Sequence, residues 1–319
     1  MPDFLKDPYI KDVTSLYQNT SDISVRASGK MKAKPHYAYL CVFNTLAWQP
    51  IAIGEYKKTS AMFQDMGRDL VYLPVFFNGR AMTPLNYPFD LTNRGTMEQL
   101  IPDVSTLQTL HLTRKYPYSM ALYQYYLRTE SIDVVASNNP DFNNADIIMS
   151  LSSPNYQVIN KETASNNSYR YWKFVPSRFF SFMQATLDIA ELAFFDSQNQ
   201  RIKGVVSPAY EACFDDDPLT NISIKNHKEH IVVDFAQPVT ISRIACVPRG
   251  DGNGIYPDNV YELFYYGESG WVSLGRKVAD NYHIEYDNVP TGALYWLRNH
   301  TTGVEERIFT YENGSVRFW

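Results

Sequence analysis

The chain has 319 residues, 45% of them hydrophobic and 20% charged, and this composition excludes a wholly disordered, collagen-like or coiled-coil protein. Its formal net charge of −5 argues against a general nucleic-acid partner, because such a partner needs a basic surface. The absence of a long apolar run predicts no membrane span, and the first residues are too polar for a signal peptide.

Short apolar and aromatic runs, separated by glycine-containing turns, predict strands along most of the chain. The 24 Tyr, 18 Phe and 5 Trp residues favour strands, and long helical patterns are nearly absent. We therefore expect an all-β protein with two antiparallel β-sandwich regions. The first domain is predicted at residues 10–113 and the second β region at residues 114–319, with its best-formed module at residues 204–319.

An internal repeat links the first and last groups of predicted strands. In both, a strand is followed by a Trp, a Gly and an aromatic residue, and then by a second strong strand. The elements are 39–44, Trp48, Gly54, Phe63 and 70–77 in the first copy, and 261–266, Trp271, Gly275, Tyr286 and 293–298 in the second. The pattern predicts a β-meander whose Trp closes one end of a sandwich, with chance similarity among aromatic-rich strands as the alternative.

An acidic loop follows the middle of the chain. Asp215, Asp216, Asp217 and Thr220 place three carboxylates and a hydroxyl within six residues. Calcium prefers hard oxygen ligands of this kind, about six to eight of them. Asp215, Asp217 and Thr220 are therefore predicted ligands of a structural Ca²⁺, and a solvated acidic turn is the alternative.

A glycine-rich loop at residues 248–258 is the predicted ligand-binding loop. Its glycines allow the backbone to approach a ligand closely. Arg249, Asp251 and Asn253 supply donors and acceptors for sugar hydroxyls, and Tyr256 supplies a ring for stacking. The alternative is a hairpin that needs glycine only for its backbone conformation.

No reaction centre is predicted. Cys213 precedes His227 and His230, but the adjacent aspartates raise the pKa of a thiol and make it a poor nucleophile. The two histidines lack further ligands spaced to complete a metal site. Glycosidase chemistry needs two carboxylates facing each other in a cleft, and the spacing of the candidates selects no pair. These candidates are Glu191, Glu262 and the pair Glu305-Glu306.

Several segments resemble discoidin (factor V/VIII type C, galactose-binding-like) domains. Residues 169–174 and 189–195 are similar to the closing strands of that family. From Gly204 onward, the loop at 214–220 and the strands at 231–238 and 241–249 are similar to its opening elements. The resemblance implies a jelly-roll sandwich at the C-terminus. It also implies that a Glu from the final strands, Glu305 or Glu306, joins the calcium loop.

The closing region also resembles the C-terminal β region of Bacteroidetes proteins that carry a transglutaminase-like domain upstream. The segments concerned are 261–266, 271–275, 288–290 and 305–311, and residues 12–14 and 66–74 resemble the preceding module of those proteins. The Cys-His-Asp catalytic core of such proteins would precede this region.

These observations predict a non-catalytic carbohydrate-binding or surface-assembly module of a bacterial secreted protein. The expected partner is a glycan or cell-surface polysaccharide. The expected location is periplasmic, outer-membrane-associated or extracellular, with the signal peptide absent from this chain. The alternatives are an accessory C-terminal scaffold of a transglutaminase-like enzyme and a β-sandwich glycoside hydrolase.

Overall fold

The structure is a computed structural model that describes residues 19–28, 35–44, 46–116, 129–152, 158–179, 187–225, 228–250, 252–303 and 306–319. Within these ranges the chain forms 25 strands and one short 3₁₀-helix, Pro208–Cys213. The all-β class predicted from the sequence is confirmed, since strands account for 61% of the chain and helix for 2%. In the described part of the chain, no helix has the length and apolar character needed to cross a bilayer.

The first nine strands are β1 Thr20–Arg26, β2 Tyr37–Asn44, β3 Ala47–Lys57, β4 Ser60–Gly67, β5 Leu70–Phe77, β6 Met82–Pro84, β7 Phe89–Leu91, β8 Met97–Gln99 and β9 Asp103–Leu112. The next ten are β10 Thr129–Ser137, β11 Asp146–Ser152, β12 Ile159–Glu162, β13 Tyr169–Phe179, β14 Leu187–Phe195, β15 Arg201–Ile202, β16 Val205–Val206, β17 Ile222–Ile224, β18 Ile231–Val239 and β19 Arg243–Pro248. The last six are β20 Val260–Gly267, β21 Gly270–Val278, β22 Ile284–Thr291, β23 Tyr295–Asn299, β24 Ile308–Glu312 and β25 Ser315–Phe318.

The chain divides into two compact units. Unit 1 comprises Met1–His111, Val260–Val278 and Glu285–Trp319, and unit 2 comprises Leu112–Asn259 and Ala279–Ile284. The first division lies close to the predicted boundary at residue 113, but the predicted module at 204–319 is split between the units. The physical reason is strand pairing: β16 and β18 join β13 in unit 2, whereas β20, β21, β23, β24 and β25 form a sheet of their own in unit 1.

Unit 2 is a two-sheet antiparallel sandwich. One sheet has the order β11-β10-β13-β18-β16, and the other has the order β12-β19-β14-β15, with β17 also paired to β14. Inward-facing side chains of both sheets form one hydrophobic core, as strand alternation requires. Trp172 and Phe194 lie at its centre, with their rings edge to face at a centroid distance of 5.9 Å.

Unit 1 contains two copies of one strand arrangement, in which Trp48 corresponds to Trp271. The first repeat is β1–β8, and the second repeat is β9 with β20–β25. Strand order β3-β2-β5 in the first repeat corresponds to β21-β20-β23 in the second. The cross-strand partners also correspond: Tyr39 lies opposite Ile53 and Val75, and Glu262 lies opposite Arg276 and Arg298. The glycines of the predicted repeat do not correspond, because Gly54 lies opposite Ala38 and the equivalent pair in the second repeat is Lys277 with Tyr261.

The two repeats pack against each other through a hydrophobic cluster that includes β2 and β5 of the first repeat and β20 and β23 of the second. The rings of Trp48 and Trp271 stack, with an interplanar angle of 15°. Phe43 meets Trp271 edge-on, and Tyr266 meets Trp48 in the same way. This reciprocal set of contacts defines a two-fold axis between equivalent surfaces, as in an isologous dimer.

A buried tyrosine occupies the same place in each repeat and provides a test of their equivalence. Tyr72 donates a hydrogen bond to the carbonyl of Gly67 at 2.7 Å, and Tyr295 donates to the carbonyl of Pro290. We expect Tyr72→Phe to lower the free energy of unfolding by about 1–1.5 kcal/mol, because it leaves a buried carbonyl unpaired.

Tyr295→Phe should cost somewhat more, because the amide of Gln108 also donates to this hydroxyl. Urea unfolding of both variants measures the two effects. The control is Tyr37→Phe, because the Tyr37 side chain is exposed. A negligible effect of Tyr72→Phe would contradict the proposed role of these hydroxyls.

Candidate functional site

The predicted acidic loop forms a compact hydrogen-bonded turn in unit 2. The hydroxyl of Thr220 contacts both carboxylate oxygens of Asp215, at 2.9 and 3.1 Å, and the carbonyls of Ala212 and Asp217. The backbone amide of Asp217 also donates to the Asp215 carboxylate, at 2.9 Å. The loop therefore holds its own oxygens in a fixed arrangement that follows the 3₁₀-helix.

The glutamate that approaches this loop is Glu191 on β14. A register shift on β14 lies between Ile189 and Glu191. The 3₁₀-helix packs against β14, and Glu191 is only 2% exposed. Asp215 is close enough to interact with its carboxyl group. The glutamate beside the acidic loop is therefore Glu191 on β14, whereas the resemblance implied Glu305 or Glu306 from the final strands.

Glu191 belongs to a network of charges. Arg201 on β15 donates to its Oε2 at 2.9 Å and also pairs with Asp216, which in turn pairs with Lys203. Burial raises the pKa of Glu191 to about 7, the positive charge of Arg201 opposes this effect, and Asp215 reinforces it. The other carboxylate oxygen, Oε1, is buried without a hydrogen-bond donor in the described structure.

Glu306, the predicted partner of the acidic loop, belongs to unit 1. Its Oε1 accepts a hydrogen bond from the backbone amide of Asn299 at 2.7 Å, and its Oε2 accepts one from the Trp296 indole at 3.1 Å. These bonds fix it as part of the second repeat. Among the described residues, no group of three or more His, Cys, Asp or Glu side chains is arranged to hold a metal ion.

The glycine-rich loop is fastened to the segment that enters unit 2. The amide of Lys115 donates to the carbonyl of Asn253, and Arg249 lies near the Asp188 carboxylate, 3.9 Å away. The position of Tyr256 differs from the prediction that its ring is available for stacking on a sugar. Its ring is 6% exposed and packs in a cluster with Tyr282, so it presents no face for stacking on a sugar. Asp251 lies outside the described residues.

A second polar surface of unit 2 was not predicted from the sequence. A shallow depression of about 500 Å³ is lined by Asp146, Ile147, Ile148, Ala164, Ser165, Asn166, Asn167 and Tyr169, and we call it the polar depression. The Tyr169 hydroxyl donates to the Asp146 carboxylate and accepts from the Asn167 amide at 3.1 Å. The backbone amide of Asn167 donates to Ser165 at 3.2 Å. These bonds order the loop before any ligand binds.

The thiol and the other acids considered as catalytic groups are engaged elsewhere. Cys213 is fully buried, its Sγ donates to the carbonyl of Tyr210, and burial raises the pKa of the thiol far above its usual range. Glu262, in unit 1, would have a raised pKa from burial alone, but hydrogen bonds from Ser273, Arg276 and His300 outweigh this effect and lower it. His227 and Glu305 lie outside the described residues.

The polar depression has one signal in the sequence: the polar run at 163–168 that precedes the aromatic strand β13. Its partner Asp146 comes from β11, and only tertiary pairing of β11 and β13 through β10 brings the two together. Comparison with protein-family models, curated proteins and solved structures finds no match to this chain, so its function has to be inferred from the geometry described above.

Proposed function

We propose that the protein is a non-catalytic carbohydrate-binding protein in which unit 2 binds sugar at the polar depression. The observation that carries this proposal is the set of ordered hydrogen-bonding groups around one shallow cavity. The cavity volume of about 500 Å³ lies within the range of about 300–1,000 Å³ typical of small-molecule sites.

The chemistry of the lining suits hydroxyl groups. Asp146 offers a carboxylate acceptor, and the Asn166 and Asn167 amides offer both donors and acceptors. Ile147 lies beside them and is 68% exposed, which gives an apolar surface for the C–H face of a pyranose ring. Few apolar contacts and an open shape predict weak binding at each site.

The non-catalytic part of the proposal is supported by the state of Glu191. It is the buried acid with a strongly raised pKa in unit 2, and Arg201, Asp215 and the 3₁₀-helix surround it. A general acid must reach a substrate oxygen within about 3 Å, directly or through one water. A side chain with 2% exposure offers no such access.

The second candidate is an accessory scaffold or assembly role, such as the C-terminal part of a transglutaminase-like enzyme. The paired repeats of unit 1 favour it, because they pack against each other through a hydrophobic cluster rich in aromatic side chains. A secreted or periplasmic location in a bacterium is proposed for either role.

Binding to the polar depression can be distinguished from binding to the glycine-rich loop with two variants. We expect the wild-type protein to bind at least one sugar on an array of bacterial and plant polysaccharides. The double variant Asp146→Asn/Asn166→Ala should bind it about 10-fold more weakly, because one to two hydrogen bonds are lost. Titration of the binding sugar, followed by NMR or calorimetry, measures the change.

Arg249→Ala is the matched variant in the glycine-rich loop and should leave the affinity unchanged. If Arg249→Ala weakens binding and the double variant does not, the loop is the binding site and the depression is not. If no sugar binds to the wild-type protein, the carbohydrate function is wrong and the scaffold function is favoured.

A further inference from the structure

One charged side chain lines the polar depression within the described part of the chain. It belongs to Asp146, which is exposed at the start of β11. The other lining residues are Ile147, Ile148, Ala164, Ser165, Asn166, Asn167 and Tyr169. The described lining therefore presents a ligand with one negative charge, and no Lys, Arg or His side chain contributes to it.

Only one of the two carboxylate oxygens of Asp146 is engaged by the described residues. The Tyr169 hydroxyl donates to Oδ2, and no described group donates to Oδ1. An ionised carboxylate has about four acceptor sites in total. Most of the hydrogen-bonding capacity of Asp146 is therefore available to a ligand in the polar depression.

The cations that follow the depression along β13 are held by other partners. Arg170, the residue after Tyr169, donates to both carboxylate oxygens of Asp234, at 2.8 and 2.9 Å. The ammonium of Lys173 lies over the ring of Phe142, 4.2 Å from its centroid. Neither side chain forms an ion pair with Asp146, so its charge is left for the ligand to meet.

The loop beside Asp146 is fixed at both of its ends. The backbone amide of Thr163 donates to the carbonyl of Ser242 at 2.8 Å, and the Asn138 side chain donates to the carbonyl of Ser168 at 3.2 Å. The hydroxyl that holds the Asp146 carboxylate is itself hydrogen-bonded by this loop. The negative charge is therefore positioned before a ligand arrives, which lowers the entropy cost of binding.

We propose that the polar depression selects saccharides by charge, binding amino sugars most tightly, neutral sugars less tightly and acidic sugars least. The inference rests on the proposed carbohydrate function and names the class of sugar that the site selects. A protonated amino group donates a charge-assisted hydrogen bond to Oδ1 of Asp146, which is stronger than a bond from a neutral hydroxyl. A uronate, sulfate or phosphate group would place a second negative charge beside Asp146 and be repelled.

The expected size of each step follows from the exposure of the site. One ion pair at a solvent-exposed position changes an affinity by up to about 5-fold. We therefore expect about 5-fold tighter binding of an amino sugar than of its neutral counterpart, and about 5-fold weaker binding of the acidic counterpart. Both differences should shrink at high salt, because salt screens exposed charges.

Tetramers of glucosamine, glucose and glucuronate with one common linkage are the first series of probes, and the corresponding galactose series is the second. Calorimetric titration of the full chain at about pH 6, where an amino group is protonated, measures each affinity at low and at high salt. The variant Asp146→Asn should abolish both preferences. It should weaken binding of the neutral tetramer by only about 3-fold, because an amide oxygen is a weaker acceptor than a carboxylate.

The matched control is Glu211→Gln, which removes one negative charge from an exposed residue outside the polar depression and should keep the order of affinities. Circular dichroism and thermal unfolding confirm that each variant is folded. An acidic tetramer that binds as tightly as the neutral one would overturn the proposal, as would an order of affinities that Asp146→Asn leaves unchanged.

The same measurements separate this inference from the proposed function. If neither series binds while another sugar of the polysaccharide array does, selection by charge is wrong and the carbohydrate function stands. If no sugar of the array binds, the carbohydrate function is wrong and selection by charge fails with it.

Discussion

Replacing Glu191 with Gln should remove most of the pH dependence of the stability of unit 2 between about pH 5 and pH 8. The folded-state pKa of Glu191 is about 7, above the value of about 4.3 in an unfolded chain. The folded state therefore binds more protons in this range. The stabilisation is fully present below the unfolded pKa and is lost as the pH rises through 7. The linked change is about 3.7 kcal/mol over the whole titration, and about 2.5 kcal/mol of it falls between pH 5 and pH 8.

Glutamine imitates the protonated acid, because its side chain is uncharged and its oxygen can still accept the hydrogen bond from Arg201. Urea unfolding at pH 5, 6, 7 and 8 measures the effect, and the fluorescence of Trp172, the one tryptophan of unit 2, reports on that unit. Glu262→Gln is the control of opposite sign. The lowered pKa of Glu262 gives stability that is present at neutral pH and lost as the pH falls. An unchanged pH slope in Glu191→Gln would show that Glu191 is ionised in the folded state.

Trp48→Ala and Trp271→Ala should destabilise unit 1 by similar amounts, about 2–4 kcal/mol each. The reason is the two-fold relation: each indole stacks on the other and also meets an aromatic side chain of both repeats. The double variant should cost about 1–2 kcal/mol less than the sum of the single variants, because the two side chains share one contact surface.

Denaturant unfolding of the four proteins completes this double-mutant cycle. The control cycle combines Trp48→Ala with Val25→Ala, whose side chain lies in the separate core of the first repeat, and its effects should add within about 0.5 kcal/mol. A large cost for one tryptophan and a small cost for the other would contradict the equivalence of the repeats.

Much of unit 1 could be predicted because its signals are local. Strand alternation identifies β2 and β5, and the repeated tryptophans, Trp48 and Trp271, lie opposite Phe43 and Tyr266 in matching strands. The division of the chain could not be predicted. The second repeat begins at β9 and resumes at β20, and β9 pairs with β22. A local hydrophobic pattern does not indicate which strands pair when they are as far apart in the sequence as β9 and β22.

The candidate sites show the same limit. The sequence predicts the turn built by Asp215 and Thr220, since the residues that form it are neighbours in the chain. It does not predict Glu191 as their partner. Along the same edge of β14, β17 pairs with residues 187–189 and β15 pairs with residues 194–195, so Glu191 lies in the stretch between these two short strands. It also places Tyr256 on the surface, whereas the outer face of the β14–β19 sheet is covered and Tyr256 is part of that cover.

The segments that resemble discoidin strands pair with one another in unit 2. The strands β13 and β14 carry the resemblance to closing strands, and β18 and β19 carry the resemblance to opening strands. In unit 2, β13 pairs with β18 and β14 pairs with β19. The order along the chain is thus the reverse of that expected for a single discoidin-like module starting at Gly204. Membership of that family stays a prediction.

The insertion of unit 2 within the second repeat governs how the protein responds to tension. The chain enters unit 2 after His111, returns to unit 1 at Val260 and contributes Ala279–Ile284 to unit 2 once more. The polypeptide on both outer sides of these insertions belongs to unit 1. A pulling force applied through those flanks is borne by the strands of unit 1. The sandwich of unit 2 therefore stays outside the load path until the strands of unit 1 separate.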